Sequence, residues 1–290
     1  MQAGMMRMVR SISEASPWRQ RAGWTVPGVT AGACIRCGRK ERRFVIPIVV
    51  ISLADAAERR TAMRAQMHTL GLPFEFFDAI DGRTLAPERA RLFAHAESPR
   101  EGRRLLAGEI GCSASHFSVV ERIAAGSSEF VCVLEDDAVL TPGLKAFLEP
   151  QVLRKLEPFG VLRLERSWSG RHIPVGAVGD SLVCAPFRAG VGSRGQIYSR
   201  SGAQMLARHL LPIRDAWDVA LYVDCRLPRL RVLDIAPAVV AERVGESTIE
   251  RTGAQSSGYA PRLYRLAQKY RRLRNFLFSW GLPAATRFTK

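Results

Sequence analysis

The 290-residue chain lacks an apolar run long enough to cross a bilayer: the longest, residues 44–53, falls well short of the roughly 20 a membrane helix needs. Nothing near its start has the apolar stretch of a secretion signal. Six cysteines follow no repeated spacing, which excludes a disulfide framework and fits cytoplasmic thiol usage. Cys34 and Cys37 form a lone C-x-x-C, without the second pair or nearby histidines that a zinc site would add. No Gly-rich dinucleotide fingerprint and no Walker-type loop is present, so bound phosphates must be held by a metal and by side chains. Acidic residues are missing from residues 251–290, which hold nine Lys/Arg and a net +9. Residues 1–43 hold nine Lys/Arg against two Glu, and residues 44–250 hold 25 charges of each sign. The net charge of +16 therefore belongs to two tails. That argues against nucleic acid as a partner, which would want a basic face on the folded body.

What is present is an alternation of strands and helices. Residues 1–43 mix Arg, Gly, Ser and Pro without periodicity and read as a disordered basic leader. Phe44–Leu53 reads as a buried strand, followed by a helix to about Leu70 with Asp55 as cap and Glu58 as its box partner, stopped by Gly71 and Pro73. Phe74–Asp78 is a second strand that turns at Asp81-Gly82. Strand, helix, strand is the first half of a nucleotide-binding α/β unit. Residues 83–107 read as a basic flap with a short helix. Gly108–His116 reads as a tight turn into a helix that ends near Gly126. Further strands are expected over Phe159–Glu165, Asp180–Ala185, Gly195–Ser199 and Arg231–Ile235, with Ser201 capping a helix and Asp218 opening another. In the tail, Leu263, Leu266, Tyr270, Leu273 and Leu277 recur at helical steps among basic residues. This pattern suits a helix lying on an anionic membrane surface; the plain alternative packs it on the domain.

The stretch Phe130–Val139 runs an apolar strand into three consecutive carboxylates, Glu135, Asp136 and Asp137. Three such acids repel one another unless a cation or a proton sits among them. Alternation along a strand puts Glu135 and Asp137 on one side and Asp136 on the other. Two oxygen ligands on one side suit a Mg²⁺ or Mn²⁺ shared with substrate phosphates, whereas a solvated acidic turn is the plain alternative.

Several pieces occur in one order: Val50–Leu53 with Arg59 and Arg60, Phe77–Gly82, Gly108–His116, Leu134–Ala138, Tyr198–Ala203, Trp217-Asp218 and Ser247–Ile249. Together they resemble glycosyltransferase family 25, which includes bacterial lipooligosaccharide β-galactosyltransferases and collagen galactosyltransferases. The resemblance covers residues 44–250 and leaves the basic tail 251–290 outside. It implies an α/β, GT-A-like fold with a central, mostly parallel sheet flanked by helices. It also implies inverting transfer of a sugar, galactose being the family's commonest, from a UDP-sugar donor to a saccharide or lipid-linked acceptor in lipopolysaccharide or envelope-glycan synthesis. On this likeness Asp137 is a direct ligand of a divalent metal, Mn²⁺ or Mg²⁺. Glu135 belongs to the metal shell or the donor ribose, and Asp136 becomes a ligand if the strand bends. Ser52, Arg59 and Asp81 are donor-side residues, and His116 is either structural or donor-contacting. Asp218 is the first candidate for the base, with Asp224 and Glu165 in reserve. Gln196 and Ile197 stand where the family more often has small residues. A catalytically silent relative acting as a sugar-nucleotide-binding or scaffold module is the alternative. The expected location is cytoplasmic, peripheral on the inner face of the membrane.

Overall fold

The computed structural model describes residues 45–93, 104–165, 172–186, 190–223, 230–243 and Tyr270. The first expected strand forms as β1 (Ile48–Ser52), every residue of it buried. It feeds α1 (Ala57–Leu70), which Gly71 ends in a left-handed conformation (φ 62°). Asp55 does not cap this helix: the N-cap is Ala56, with no side-chain cap bond. β2 (Glu75–Asp78) pairs parallel to β1. The short helix expected in the basic segment is α2 (Pro87–Phe93).

The Gly/Ser-rich stretch expected as a turn is instead the first half of α3 (Ala107–Ala125). Its small residues are needed for close approach rather than for turning. A Cβ on Gly111 would meet the Ile80 carbonyl oxygen at 2.5 Å, and one on Gly82 would meet the Ala107 carbonyl oxygen at 1.8 Å. The Ser115 hydroxyl accepts the Ile80 N–H at 2.8 Å. The turn after β2 thus seats directly on the helix. At its start the Glu109 carboxylate accepts the Leu106 N–H at 2.8 Å, satisfying one orphan donor.

β3 (Phe130–Glu135) follows, then β4 (Ala138–Leu140), α4 (Leu144–Phe147), α5 (Pro150–Leu156) and β5 (Val161–Arg163). β6 (His172–Val178) is a strand the sequence pattern conceals, because Pro174 and Gly176 interrupt it and a register shift falls between them. It lies at the sheet edge, where a proline costs no ladder bond. β7 (Ser181–Pro186) pairs with it, and β8 (Gly195–Ser199) leads into α6 (Arg200–His209). The cap of α6 is Ser199, not Ser201: its hydroxyl accepts the Gly202 N–H at 3.1 Å. Trp217 and Asp218 begin a turn that continues as a π-helix over Val219–Val223. β9 (Val232–Ala236) and β10 (Val240–Glu242) end the described body. The leader 1–43, the C-x-x-C pair, Asp224, Ser247–Ile249 and the tail apart from Tyr270 fall outside the described residues.

The fold is the expected α/β, GT-A-like class, built on an eight-stranded sheet in the order β2-β1-β3-β8-β5-β9-β7-β6. Its pairings are mixed. β1 pairs parallel with both β2 and β3, and β5 pairs parallel with β9. β8 runs antiparallel between β3 and β5, and β7 antiparallel between β6 and β9.

Strand alternation splits the core into two layers. Ile48, Val50, Phe130, Cys132 and Leu134 pack with Met63 and Met67 of α1 on one face. Val49, Ile51, Val131 and Val133 pack with Phe117, Val120 and Ile123 of α3 on the other. This parity decides where the strand-end acids go. No described helix is long and apolar enough to cross a membrane.

Candidate active site

The carboxyl ends of β1, β2, β3 and β5 and the start of the antiparallel β8 meet along one rim of the sheet, the usual ligand side of an open α/β sheet. Glu135 follows the parity of Val131 and Val133 and faces α3, where its Oε1 lies 2.8 Å from His116 Nε2. The Ser193 hydroxyl also donates to that oxygen. His116 is buried and stacked on Trp217, with ring centroids 5.3 Å apart at 15°. Asp136 faces α1. The Ser52 hydroxyl donates to its Oδ2 at 2.7 Å, and Arg59 Nη1 donates to its Oδ1 at 3.1 Å. Asp137 lies just past the strand, and its Oδ1 is buried with no hydrogen-bond partner among the described residues. Its Oδ2 is 3.6 Å from Arg194 Nε, an ion pair too long to be a hydrogen bond.

The segment just before β8 closes over these acids. Gly192 N–H donates to Asp218 Oδ2 at 2.7 Å, and Arg194 N–H donates to Glu165 Oε1 at 3.0 Å. Arg194 further reaches Glu165 Oε2 at 3.0 Å and Glu242 Oε1 at 2.6 Å through its guanidinium. Gly192 (φ 120°) passes so close to Glu165 that a Cβ there would meet its carboxylate at 2.7 Å. Beneath the segment, the fully buried Arg163 donates to the Gly190 and Val191 carbonyls, each at 3.0 Å. The same guanidinium pairs with buried Asp234 at 3.4 Å and stacks over the Tyr222 ring at 4.3 Å.

These surroundings set the proton affinities. Burial, reinforced by the neighbouring Glu135 charge, pushes the Asp137 carboxyl up to about 6. Burial pushes Glu165 up to about 7 against the pull of Arg163 and Arg194. Burial also acts to raise Glu135, but the His116 bond and charge, with Ser193 and Arg194, outweigh it and hold the carboxyl below its ordinary value. Asp81 is bound by Arg83 through its side chain and backbone N–H, which keeps its carboxyl low.

The residues expected from the sequence therefore fall into distinct environments. Ser52, Arg59 and Asp136 form one cluster on the α1 side, and Glu135, His116 and Trp217 form another on the α3 side. Asp137 stands at the strand end, and Asp218 holds the closing segment. Asp81 is engaged within its own turn. Arg194, Ser193 and Arg163 went unread. The signal for the first two lay in Gly190, Gly192 and Gly195, which bracket Ser193 and Arg194 as only a tightly routed loop requires.

Such a rim can hold a cation at Asp137, where an orphaned buried acceptor of raised proton affinity needs a positive partner. Oxygen ligands at a strand end, with guanidiniums to either side, suit a diphosphate and the ion that accompanies it. A mixed sheet flanked by helices, with acids at its strand ends and no phosphate loop, is consistent with a GT-A-like fold. Residues 45–184 match the family described as Glycosyltransferase family 25 (LPS biosynthesis protein). A protein of Aedes aegypti named Glycosyltransferase 25 family member is 38% identical over 112 residues, 37% of this chain and 18% of that protein. A protein of the same name from Drosophila pseudoobscura pseudoobscura is 32% identical over 117 residues, 39% of this chain and 19% of that protein. The human Inactive glycosyltransferase 25 family member 3 is 34% identical over 107 residues, 35% of this chain and 18% of that protein. The chain thus spans about a fifth of the length of these curated relatives.

Proposed function

We propose that this protein is a metal-dependent, inverting glycosyltransferase that moves a sugar from a UDP-sugar to a saccharide acceptor. Galactose is the first sugar to try, and a lipid-linked glycan of the lipopolysaccharide or envelope class is the acceptor. The observation that carries the reading is Asp137: a half-buried carboxylate at a strand end, with a bare buried oxygen and a proton affinity pushed up to about 6. Asp137 and Glu135 would hold Mn²⁺ or Mg²⁺, which supplies positive charge to a departing diphosphate. Arg59 and Ser52 fix Asp136 at the end of β1 and thereby shape the donor side. Asp218 is the proposed base for the acceptor hydroxyl, because it is only half-buried whereas Glu165 is closed over by Gly192. The alternative, a silent sugar-nucleotide-binding module, draws on the human relative named inactive. Glu135, Asp136 and Asp137 are all intact here, which favours the enzyme.

The test is thermal stabilisation by UDP-, GDP- and CMP-sugars, each with Mn²⁺ or Mg²⁺, followed by turnover of the stabilising donor. Stabilisation by a UDP-sugar only in the presence of metal is expected; no response to any donor with either metal would sink the reading. Asp218→Asn should keep that stabilisation while lowering kcat by about 10³-fold, within the range for losing a general base. A larger loss in Glu165→Gln would transfer the role to Glu165.

Arg194 is the resident counter-cation of Asp137, Glu165 and Glu242. Arg194→Met should tighten Mn²⁺ binding by about tenfold, since one fewer like charge repels the ion, while turnover falls as a diphosphate-facing cation is lost. Weaker metal binding together with lower turnover would reduce Arg194 to a structural part. The acid-free basic stretch 251–290 supports a membrane-surface role on the cytoplasmic face. Equal sedimentation with anionic vesicles after removal of residues 261–290 would remove that role.

A further inference from the structure

Cys112 and His116 stand one turn apart on a single face of α3, a spacing that brings two side chains to one ligand. Glu135 meets them from the end of β3. A sulfur, an imidazole nitrogen and a carboxylate oxygen, one from each residue, lie within 4.8 Å of one another. We infer that Cys112, His116 and Glu135 form a second cation site, for a thiophilic divalent ion of the Zn²⁺ class, sharing Glu135 with the oxygen ligands around Asp137.

Three observations converge on it. The donor set is mixed sulfur, nitrogen and oxygen, which favours Zn²⁺ or Co²⁺, whereas the all-carboxylate pair Glu135 and Asp137 suits Mn²⁺ or Mg²⁺. The imidazole is held in place by its stack on Trp217, and its buried Nδ1 has no hydrogen-bond partner among the described residues. Cys112 is a free, half-buried thiol whose sulfur completes the group with the imidazole and the carboxylate. On binding, the thiol gives its proton to solvent and sulfur becomes a thiolate ligand, so charge balances without any redox partner. Three protein ligands leave a tetrahedral position open, as in exchangeable rather than structural zinc sites.

A consequence concerns the proposed reaction, on which only this part of the inference rests. Zn²⁺ drawn onto the Glu135 oxygen beside His116 competes with Mn²⁺ for that carboxylate and so weakens the ligand set on the Asp137 side. Zn²⁺ is then an inhibitor that acts beside the donor site rather than a substitute for Mn²⁺.

The probe is Co²⁺, whose thiolate bond absorbs in the near ultraviolet and whose tetrahedral sites absorb in the visible. Cys34 and Cys37 could give a thiolate signal of their own, so the full chain is used with Cys34→Ser and Cys37→Ser. Co²⁺ should raise both absorptions, saturating near one ion per chain, and Zn²⁺ should erase them. Cys112→Ser and Cys112→Ala, checked as folded by circular dichroism, should each lose the ultraviolet band, and Asp137→Asn should retain it. Zn²⁺ should also suppress Mn²⁺-dependent donor stabilisation, and Cys112→Ser should demand about 100-fold more Zn²⁺ for the same effect. No thiolate band in the parent protein, or a band that survives both Cys112 variants, overturns the inference. The cobalt spectrum needs no donor, so it stands or falls apart from the proposed transfer reaction.

Discussion

Asp137→Asn should abolish metal-dependent release of UDP and at the same time make the protein more stable. The two effects have one cause. A carboxylate whose Oδ1 is buried without a hydrogen-bond donor is costly to ionise, and burial with the adjacent Glu135 pushes it up to about 6 from 3.8. The folded chain therefore holds this proton more tightly than the unfolded one. Stability from this group is fully present below about pH 4 and is lost as pH rises through 6. Asparagine removes the penalty. The nominal gain above pH 6 is ~3 kcal/mol, and about one-third exposure of the side chain reduces it to about 1 kcal/mol. Turnover should fall by about 10³-fold or more, the loss expected when charge stabilisation at a leaving group is removed. Melting curves at pH 5 and pH 8 and UDP release at pH 8 test both halves. A variant that melts lower at pH 8 and keeps its turnover would end the assignment. In the parent protein, donor-dependent stabilisation should fade as the pH drops below about 6, because a protonated Asp137 cannot hold a cation.

Arg163→Met carries the largest expected stability cost. Arg163 on β5 and Asp234 on β9 are neighbours across a parallel pairing, both buried, 3.4 Å apart. Removing the cation leaves Asp234 with its charge uncompensated in the core, a change that typically costs 3–5 kcal/mol, so about 3 kcal/mol is expected here. The Gly190 and Val191 carbonyls lose their donors as well, and the segment carrying Gly192, Ser193 and Arg194 loses its anchor. Chemical denaturation should show the loss. Arg163→Met with Asp234→Leu should recover most of it, because two apolar groups replace a charged pair at little net cost. The double variant should still turn over slowly, since the carbonyls remain unanchored. A double variant as unstable as the single one would show that Asp234 is not what the guanidinium compensates.

Much of the frame was legible because it follows from periodicity. β1, α1, β2, β3 and β8 each show one clear pattern, and the parity along β3 determines which acid faces α1 and which faces α3. Local capping was read less well. Asp55 and Ser201 have the right residue types, but Ala56 and Ser199 take the cap positions because strand ends fix where each helix begins. The Gly108–His116 stretch misled in the same way: small residues mean either turning or close packing, and only the position of Gly82 and Ile80 decides between them. The site was half visible. Three adjacent acids announce themselves, whereas Arg163, Arg194 and Cys112 acquire meaning only when segments distant along the chain are folded onto one rim.

The position of β8 has a practical bearing on how the protein can be divided. The residues matched to the family end at 184, before β8 begins, yet β8 is the strand lying between β3 and β5. A fragment cut at that boundary would lose the middle of its own sheet. β3 would become an open edge, five buried residues with unpaired amides, the kind of surface that recruits other chains, and β5 would lose both of its partners, β8 and β9. Insolubility of such a piece would reflect this missing partner and would carry no information about the chemistry of the whole.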